Sequence, residues 1–321
     1  MTEPSLRQNA EKSVPAHVTL FLKKIAFLKV LKTSILTGMR YLFPWEVCTD
    51  LRGFSALTEL YALGKSEKLG GEIILDFSRC HWFEANMCAP LYSVIARFFL
   101  EMKSVSVGGI RDDIMTVFQK NGFAEIIRLE HVPDVNRTTI PFVRFRPTET
   151  RGFAEYSTGK FKEFFVRKRY GNPPENFFES VNEIFQNSAF HSKTNVSIAA
   201  CGQFFPASRR IDFAISDSGI GIPRSVREFI RSPIDDSDAV VWAMSDSNTT
   251  RVLNPNGSPG GLGLKIVRDF IDTTYGKLVI VSGKAFVYRV NGKTKSESLK
   301  NPFPGTCVNI EINTLATTVL T

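Results

Sequence analysis

Three short segments of this 321-residue chain carry side chains suited to nucleotide chemistry. The first is Glu183-Ile-Phe-Gln-Asn187, whose two end residues are four apart and share one face of a helix. The amide oxygen of Asn187 suits Mg²⁺, a hard cation that takes oxygen ligands and shares its shell with phosphates. Glu183 is a carboxylate able to polarise a water for attack on a terminal phosphate. The second segment is Asp217-Ser-Gly-Ile-Gly221, at the end of a β-branched and aromatic run. A carboxylate there accepts a hydrogen bond from the amino group of adenine, where guanine offers a carbonyl. Gly219 and Gly221 let the backbone come close and take positive φ. The third is Gly260-Gly-Leu-Gly-Leu264, followed by Lys265. Free N–H groups where the next helix starts bind phosphate, so Gly260, Gly261, Leu262, Gly263 and Leu264 form a candidate phosphate cradle to which Lys265 adds charge. Taken singly, each segment has an ordinary alternative: a solvated Glu, a buried Asn, a strand-to-turn junction, a glycine loop without ligand. Their order and spacing point to one site.

Two other nucleotide motifs are excluded. The third segment is not the glycine-rich loop ending in Gly-Lys-Ser/Thr. Nor does it follow the first strand of a βαβ unit with an acidic residue about 20 positions on.

Residues from about 174 to 314 resemble the ATPase domain shared by gyrase, Hsp90, histidine kinases and MutL, the GHKL class. Glu183–Asn187 resembles its asparagine box, Asp217–Gly221 its first glycine box and Gly261–Gly263 its second. Gly305-Thr306 also matches; in that family such a Thr supports the adenine-binding Asp, often through water. The resemblance implies a Bergerat-type fold: an α/β two-layer sandwich, a mixed and mainly antiparallel sheet with helices on one face, and ATP under a flexible lid. It implies ATP and Mg²⁺ as cofactors, with Asn187 on the metal and Glu183 as the catalytic base. Residues from about 70 to 125 resemble, more faintly, a STAS domain, through Ile73-Ile-Leu-Asp-Phe-Ser78 and Phe83-Glu-Ala-Asn86 leading into a helix. That family often carries a phosphorylatable Ser or Thr at this turn; here Ala85 and Asn86 stand there.

The elements that must hold these segments are partly legible. Strands are expected at Ile73–Phe77, Ser104–Val107 (ended by Gly108-Gly109), Thr138–Arg146, Val196–Ala200, Ile211–Ile215, Leu278–Val281 and Cys307–Ile312. Helices are expected at Asn86–Met102, Arg111–Lys120, Glu155–Tyr170, Glu175–Ser192 and Leu264–Thr274. The segment 224–259 mixes a short helix around Ala239–Met244 with Asp, Ser, Asn, Pro and Gly, a lid-like composition in which Thr249, Thr250 and Arg251 suit phosphate. The expected organisation is a basic and apolar segment 1–45, a smaller STAS-like α/β domain 46–150, a basic linker helix 151–173 and a GHKL-type ATP-binding domain 174–321.

Composition bounds the rest. Hydrophobic residues are 43 % of the chain and phenylalanines number 27, so packed interiors are expected rather than disorder. Half of the net charge of +8 comes from one short segment, Arg151, Lys160, Lys162, Arg167, Lys168 and Arg169 less Glu155 and Glu163. A solvated helix face accounts for that cluster better than a nucleic-acid or membrane-surface contact. The five cysteines are scattered without a Cys-x-x-Cys pair, which fits reduced thiols in a cytoplasmic protein. Cys201 and Cys307 are expected in the core. Lysines interrupt the apolar stretch Val18–Phe43, so no bilayer-spanning segment is expected. His17, His81, His131 and His191 lack the setting of a phosphoacceptor histidine; His191, one turn past Asn187, suits a helix-end or nucleotide-site role.

Three functions fit these residues. One is an ATP-hydrolysing conformational switch. The second is an anti-sigma-type serine kinase acting on a partner protein. The third is a non-catalytic ATP-binding module. A protein partner is expected at the N-terminal domain, and a homodimer is compatible.

Overall fold

The computed structural model describes residues 38–162, 175–245 and 262–314. From Met39 onward the chain forms one compact unit. Its first part interleaves strands β1 (Met39–Leu42), β3 (Glu72–Phe77) and β5 (Ser104–Ile110) with helices α1 (Leu51–Ser66), α2 (Cys88–Leu100) and α3 (Asp112–Asn121). The three strands pair in parallel in the order β1-β3-β5. Short strands β2 (Glu46–Val47) and β4 (Trp82–Phe83) pair beside them. Gly108 and Gly109 lie inside β5 rather than ending it. Helix α1 was not expected, although Asp50 caps it, its carboxylate accepting from the Gly53 N–H at 2.8 Å.

The second part is a five-stranded sheet of β6 (Thr139–Phe145), β7 (Ile198–Phe205), β8 (Arg210–Asp217), β9 (Lys277–Val290) and β10 (Lys293–Asn313), in the order β6-β7-β8-β10-β9. Every pairing in it is antiparallel, whereas a mixed sheet was expected. Strand β6, assigned from sequence to the first domain, is an edge of this sheet. Strands β9 and β10 form a long hairpin about Asn291-Gly292, both at positive φ (51° and 72°), the backbone that a two-residue hairpin turn demands.

Alternation along the strands explains the layering. Ile198, Ala200, Ile211, Phe213, Ile215, Val308, Ile310 and Ile312 point to one face. There they pack on Phe177, Val181, Ile184 and Phe185 of α5 (Glu175–His191) and on Val267, Phe270 and Ile271 of α8, numbered below and spanning Leu262–Thr273. Helix α4 (Thr150–Tyr156), running on into a π turn, covers the same face through Phe153 and Tyr156. It begins earlier than the expected Glu155 start; residues 163–174 lie outside the described residues.

The opposite face carries small residues: Ala199, Cys201, Ala214, Ser216 and Cys307. Helices α1 and α2 press on them, sharing one core with β3. Small side chains let helix and sheet come close, and α2 answers with Ala89, Ser93 and Ala96. Helices were expected on one face only; here both faces are covered, and the first α/β layer is the second cover. Polar contacts cross the seam. The Ser93 and Ser216 hydroxyls meet at 2.7 Å, Asn86 Nδ2 donates to Asn309 Oδ1 at 2.8 Å, and the Ala85 N–H donates to Gln203 Oε1 at 2.6 Å. Asn86, where the resemblance would put a phosphorylatable residue, is fully buried. Arg210 pairs with Glu84 at 2.7 Å and lies 3.1 Å from Asp212 without hydrogen-bond alignment. Burial, with the nearby Glu84 carboxylate, pushes the Asp212 acid far above the usual carboxylate range.

Of the expected lid, 224–259, residues 224–245 are largely helical: α6 (Ile222–Ile230), which was not foreseen, and α7 (Asp236–Met244), which contains the short helix expected around Ala239–Met244. Val226 and Val240 are buried. The Asp236 carboxylate ties both helices to β9 by pairing with Arg227 and by accepting the Lys284 N–H at 2.7 Å. Pro223 starts α6 at a position where a missing N–H costs nothing. The rest of that segment, with Thr249, Thr250 and Arg251, lies outside the described residues.

The seam makes one body of two layers, and this is testable. Ala214→Leu adds bulk where α2 meets the sheet and should cost about 1–3 kcal/mol. In denaturant unfolding followed by hydrogen exchange, β3 and β10 should lose protection together. Loss confined to β10 would show that the layers are independent domains.

Candidate functional site

Strand register brings the candidate residues to one end of the sheet. Strand β8 runs from Arg210 to Asp217, so Asp217 marks that end. Strand β7 begins there, because Ala199 pairs with Ser216. Helix α5 leads into β7, so its C-terminal turns, with Asn187, Ser188 and Ser192, reach the same end. Helix α8 leads instead into β9, whose Lys277 pairs with Glu311, and Glu311 with Asp212, near the Arg210 end. The start of α8, Leu262–Lys265, must therefore lie back at the Asp217 end. The tilted ring contact of Phe177, early in α5, with Phe270, late in α8 (centroids 4.3 Å), agrees with two antiparallel helices. Asn187, one turn from the end of α5, is thus on the end of that helix that faces the start of α8, while Glu183 lies at mid-helix, one turn further back. That helix starts at Leu262, two residues before the expected start, so Gly263 is inside its first turn. Leu264 packs on the core beneath; Gly260 and Gly261 lie outside the described residues.

Asp217 is the chemical centre. It is 2 % exposed, and burial pushes its carboxyl up to about 7. The Gly219 N–H, donating at 2.8 Å, the Thr306 N–H and the Ser188 hydroxyl each pull it back down. Burial wins because a charge without a cationic partner is costly to desolvate. Thr306 is directly opposite Asp217 in the β8–β10 pairing, so its place follows from register. The Thr306 hydroxyl turns to Ser282 Oγ at 2.9 Å, and its backbone N–H serves Asp217. Ser282 Oγ also accepts the Ile222 N–H at 2.9 Å, which fixes the start of α6.

The glycines are required by contact. A Cβ on Gly219 would lie 2.2 Å from the Ser192 carbonyl oxygen, which already accepts the Ile220 N–H at 2.9 Å. Gly221 has φ +79°, and at Gly305 (φ +117°) a Cβ would lie 2.1 Å from the Asp217 carbonyl oxygen. The buried hydroxyls of Ser192 and Ser218 have no hydrogen-bond partner among the described residues.

These groups offer an adenine edge a buried acceptor at Asp217 and, at Ser192 and Ser218, hydroxyls still able to bond. Asn187, half-buried on α5, offers one amide oxygen, the kind of ligand Mg²⁺ takes. Sequence reasoning missed Ser188, Ser192 and Ser282. Ser188 and Ser192 follow Asn187 at the helix end and were legible as neighbours. Ser282 was not, because the β9–β10 pairing that brings it to Thr306 was not foreseen. His191 ends α5. Comparison with protein-family models and with curated proteins returns no match.

Asp217 makes stability depend on pH. Its folded-state acid is raised from 3.8 to about 7, so the folded form holds the proton more tightly than the unfolded chain. The stability this confers is complete below about pH 4 and is lost as pH rises through about 7. Relative to Asp217→Asn, the wild type should lose on the order of 4 kcal/mol between those limits, measured as denaturant midpoints across pH without nucleotide. A constant difference between the two proteins would show that the carboxyl titrates normally.

Proposed function

We propose that this chain is a Mg²⁺-dependent ATP-binding regulatory protein of the cytoplasm, with a GHKL-type site built by the part from about residue 174 onward. The observation that carries the reading is the buried carboxylate of Asp217 held by the Gly219 and Thr306 N–H groups and the Ser188 hydroxyl, at the sheet end reached by the last turns of α5, with Asn187, and by the first turn of α8. Asp217 would accept from the adenine amino group while the Gly219 and Thr306 N–H groups hold it in place. The N–H groups opening α8, with Lys265, would meet the phosphates. Asn187 would ligate Mg²⁺, which neutralises phosphate charge, and Glu183 would orient and polarise water. The finer fold reading, a Bergerat-type sandwich preceded by a STAS-like layer, belongs to the same proposal.

An ATP-hydrolysing switch is preferred to a static module because of the seam. Ser216, which α2 grips through Ser93, immediately precedes Asp217, and its hydroxyl donates to the Thr306 carbonyl at 3.3 Å. A ligand that shifts Asp217 therefore bears on the first layer, the surface proposed to meet a protein partner.

The assignments separate by mutation. Asn187→Ala should abolish Mg²⁺-dependent nucleotide binding, whereas Glu183→Ala should bind nearly as well as the wild type and lose turnover by about a hundredfold or more. Incubation with γ-labelled ATP gives the readout: released phosphate supports the switch, and label on an added protein indicates a kinase. Wild-type turnover in Glu183→Ala would remove its role as base. Binding without either product would leave a binding module.

A further inference from the structure

We propose that Asp212 is a proton-sensitive latch on the seam between the first layer and the five-stranded sheet. Protonated, it leaves Arg210 to hold Glu84. Ionised, it competes for Arg210, repels Glu84 and loosens the first layer.

Strand register assembles the latch. Directly paired residues turn to the same face, so Gln203, Asp212, Glu311 and Lys277 form one row across β7, β8, β10 and β9. The row faces the first layer, because Gln203 Oε1 accepts the Ala85 N–H across the seam. Arg210, two residues before Asp212, turns the same way, and its guanidinium crosses the seam to Glu84 at 2.7 Å. Glu84 is held within its own layer by the Thr49 N–H and hydroxyl, at 2.7 and 2.8 Å. Arg210 thus ties the first layer to β8.

Asp212 is 1 % exposed, and neither of its oxygens has a hydrogen-bond partner among the described residues. As a carboxylate it would be a buried charge without a hydrogen bond, and such a charge is costly. Burial first, then the Glu84 and Glu311 carboxylates, favour the acid form while the seam is closed; Arg210 and Lys277 oppose them. Cys48, Glu46 and Asp50 stand near Glu84 on the first-layer side. Arg52 meets the two acids at 3.1 and 3.6 Å, and burial keeps the Cys48 thiol protonated.

Opening the seam would admit water and return the Asp212 carboxyl to the ordinary range. The closed seam therefore binds the proton more tightly than the open one. Its closure is fully supported at low pH. It weakens as pH rises through the closed-state value, by about tenfold for each further pH unit.

The test is labelling of the full-length protein with a pyridyl disulfide across pH, read cysteine by cysteine by mass spectrometry. Cys201 and Cys307 are buried in the seam, whereas Cys80 is buried in the turn between β3 and β4. Comparing wild type with Asp212→Asn at each pH cancels the thiols' own ionisation and the titration of Asp217. The two proteins should label alike in acid. In alkali the wild type should label at Cys201 and Cys307 about tenfold faster or more, with Cys80 unchanged. Glu311→Gln removes a repelling charge and should move this rise to lower pH; Lys277→Gln removes an attracting one and should move it to higher pH. Should Asp212→Asn fail to fold, judged by circular dichroism, those two variants are read against each other. Equal labelling of wild type and Asp212→Asn at every pH, a rise that includes Cys80, or shifts of the same sign in Glu311→Gln and Lys277→Gln would overturn the proposal.

Discussion

The structure depends on the two-sided packing of its five-stranded sheet. One face presents branched and aromatic side chains to α4, α5 and α8, and the other presents Ala, Cys and Ser to α1 and α2. A sheet with one bare apolar face would need a partner. Here the chain supplies it, and small side chains on both sides of the seam bring the second cover close enough for a buried Ser93–Ser216 contact. The same alternation decides where chemistry can occur. Successive residues point to opposite faces, so Ser216 turns toward the first layer and Asp217 toward the helices that form the candidate site.

That site stores an electrostatic cost. Asp217 is buried with hydrogen-bond donors but no cation, so its carboxyl holds a proton far above the ordinary carboxylate range. A ligand amino group offered to this oxygen favours the ionised form and is in turn held firmly, because few waters compete. Glycines at 219 and 305 are demanded by backbone already packed against them, the Ser192 and Asp217 carbonyls, and the glycine at 221 by its positive φ. Hydrophobic packing thus creates the environment, and strand register places the acceptor in it.

Much of this was legible in the sequence. The alternation of Ile211–Ile215 and Cys307–Ile312, and the helical spacing of Glu183 and Asn187, give the right elements and the right neighbours. Other parts depended on contacts between distant residues. Helix α1 was not read from the sequence; its glycines Gly53 and Gly64 are weak helix formers, yet both are demanded by packing. A Cβ on Gly53 would lie 2.0 Å from the Cys48 carbonyl oxygen, and one on Gly64 2.4 Å from the Phe98 ring. The Asn291-Gly292 hairpin was a readable signal that went unused, and without it neither the length of β9 nor the place of Ser282 was accessible. The docking of the first layer on the sheet had no local signal: Cys201 and Cys307 were expected in a core and are buried, but Ala, Cys and Ser on a strand face do not say which element covers them. The apparent lid was misjudged in part because Asp, Ser and Pro are also helix-start residues, as at Asp236 and Pro223.

The central claim is that Asp217 reads adenine as an ionised acceptor in a buried site. The most direct test is calorimetry of ATP and GTP binding with Mg²⁺ near pH 6.5, in two buffers of different ionisation enthalpy. On this account ATP binds at least about tenfold more tightly than GTP and releases a fraction of a proton, and Asp217→Asn removes both the preference and the release. Equal affinity for the two nucleotides, or proton release that persists in Asp217→Asn, would contradict it.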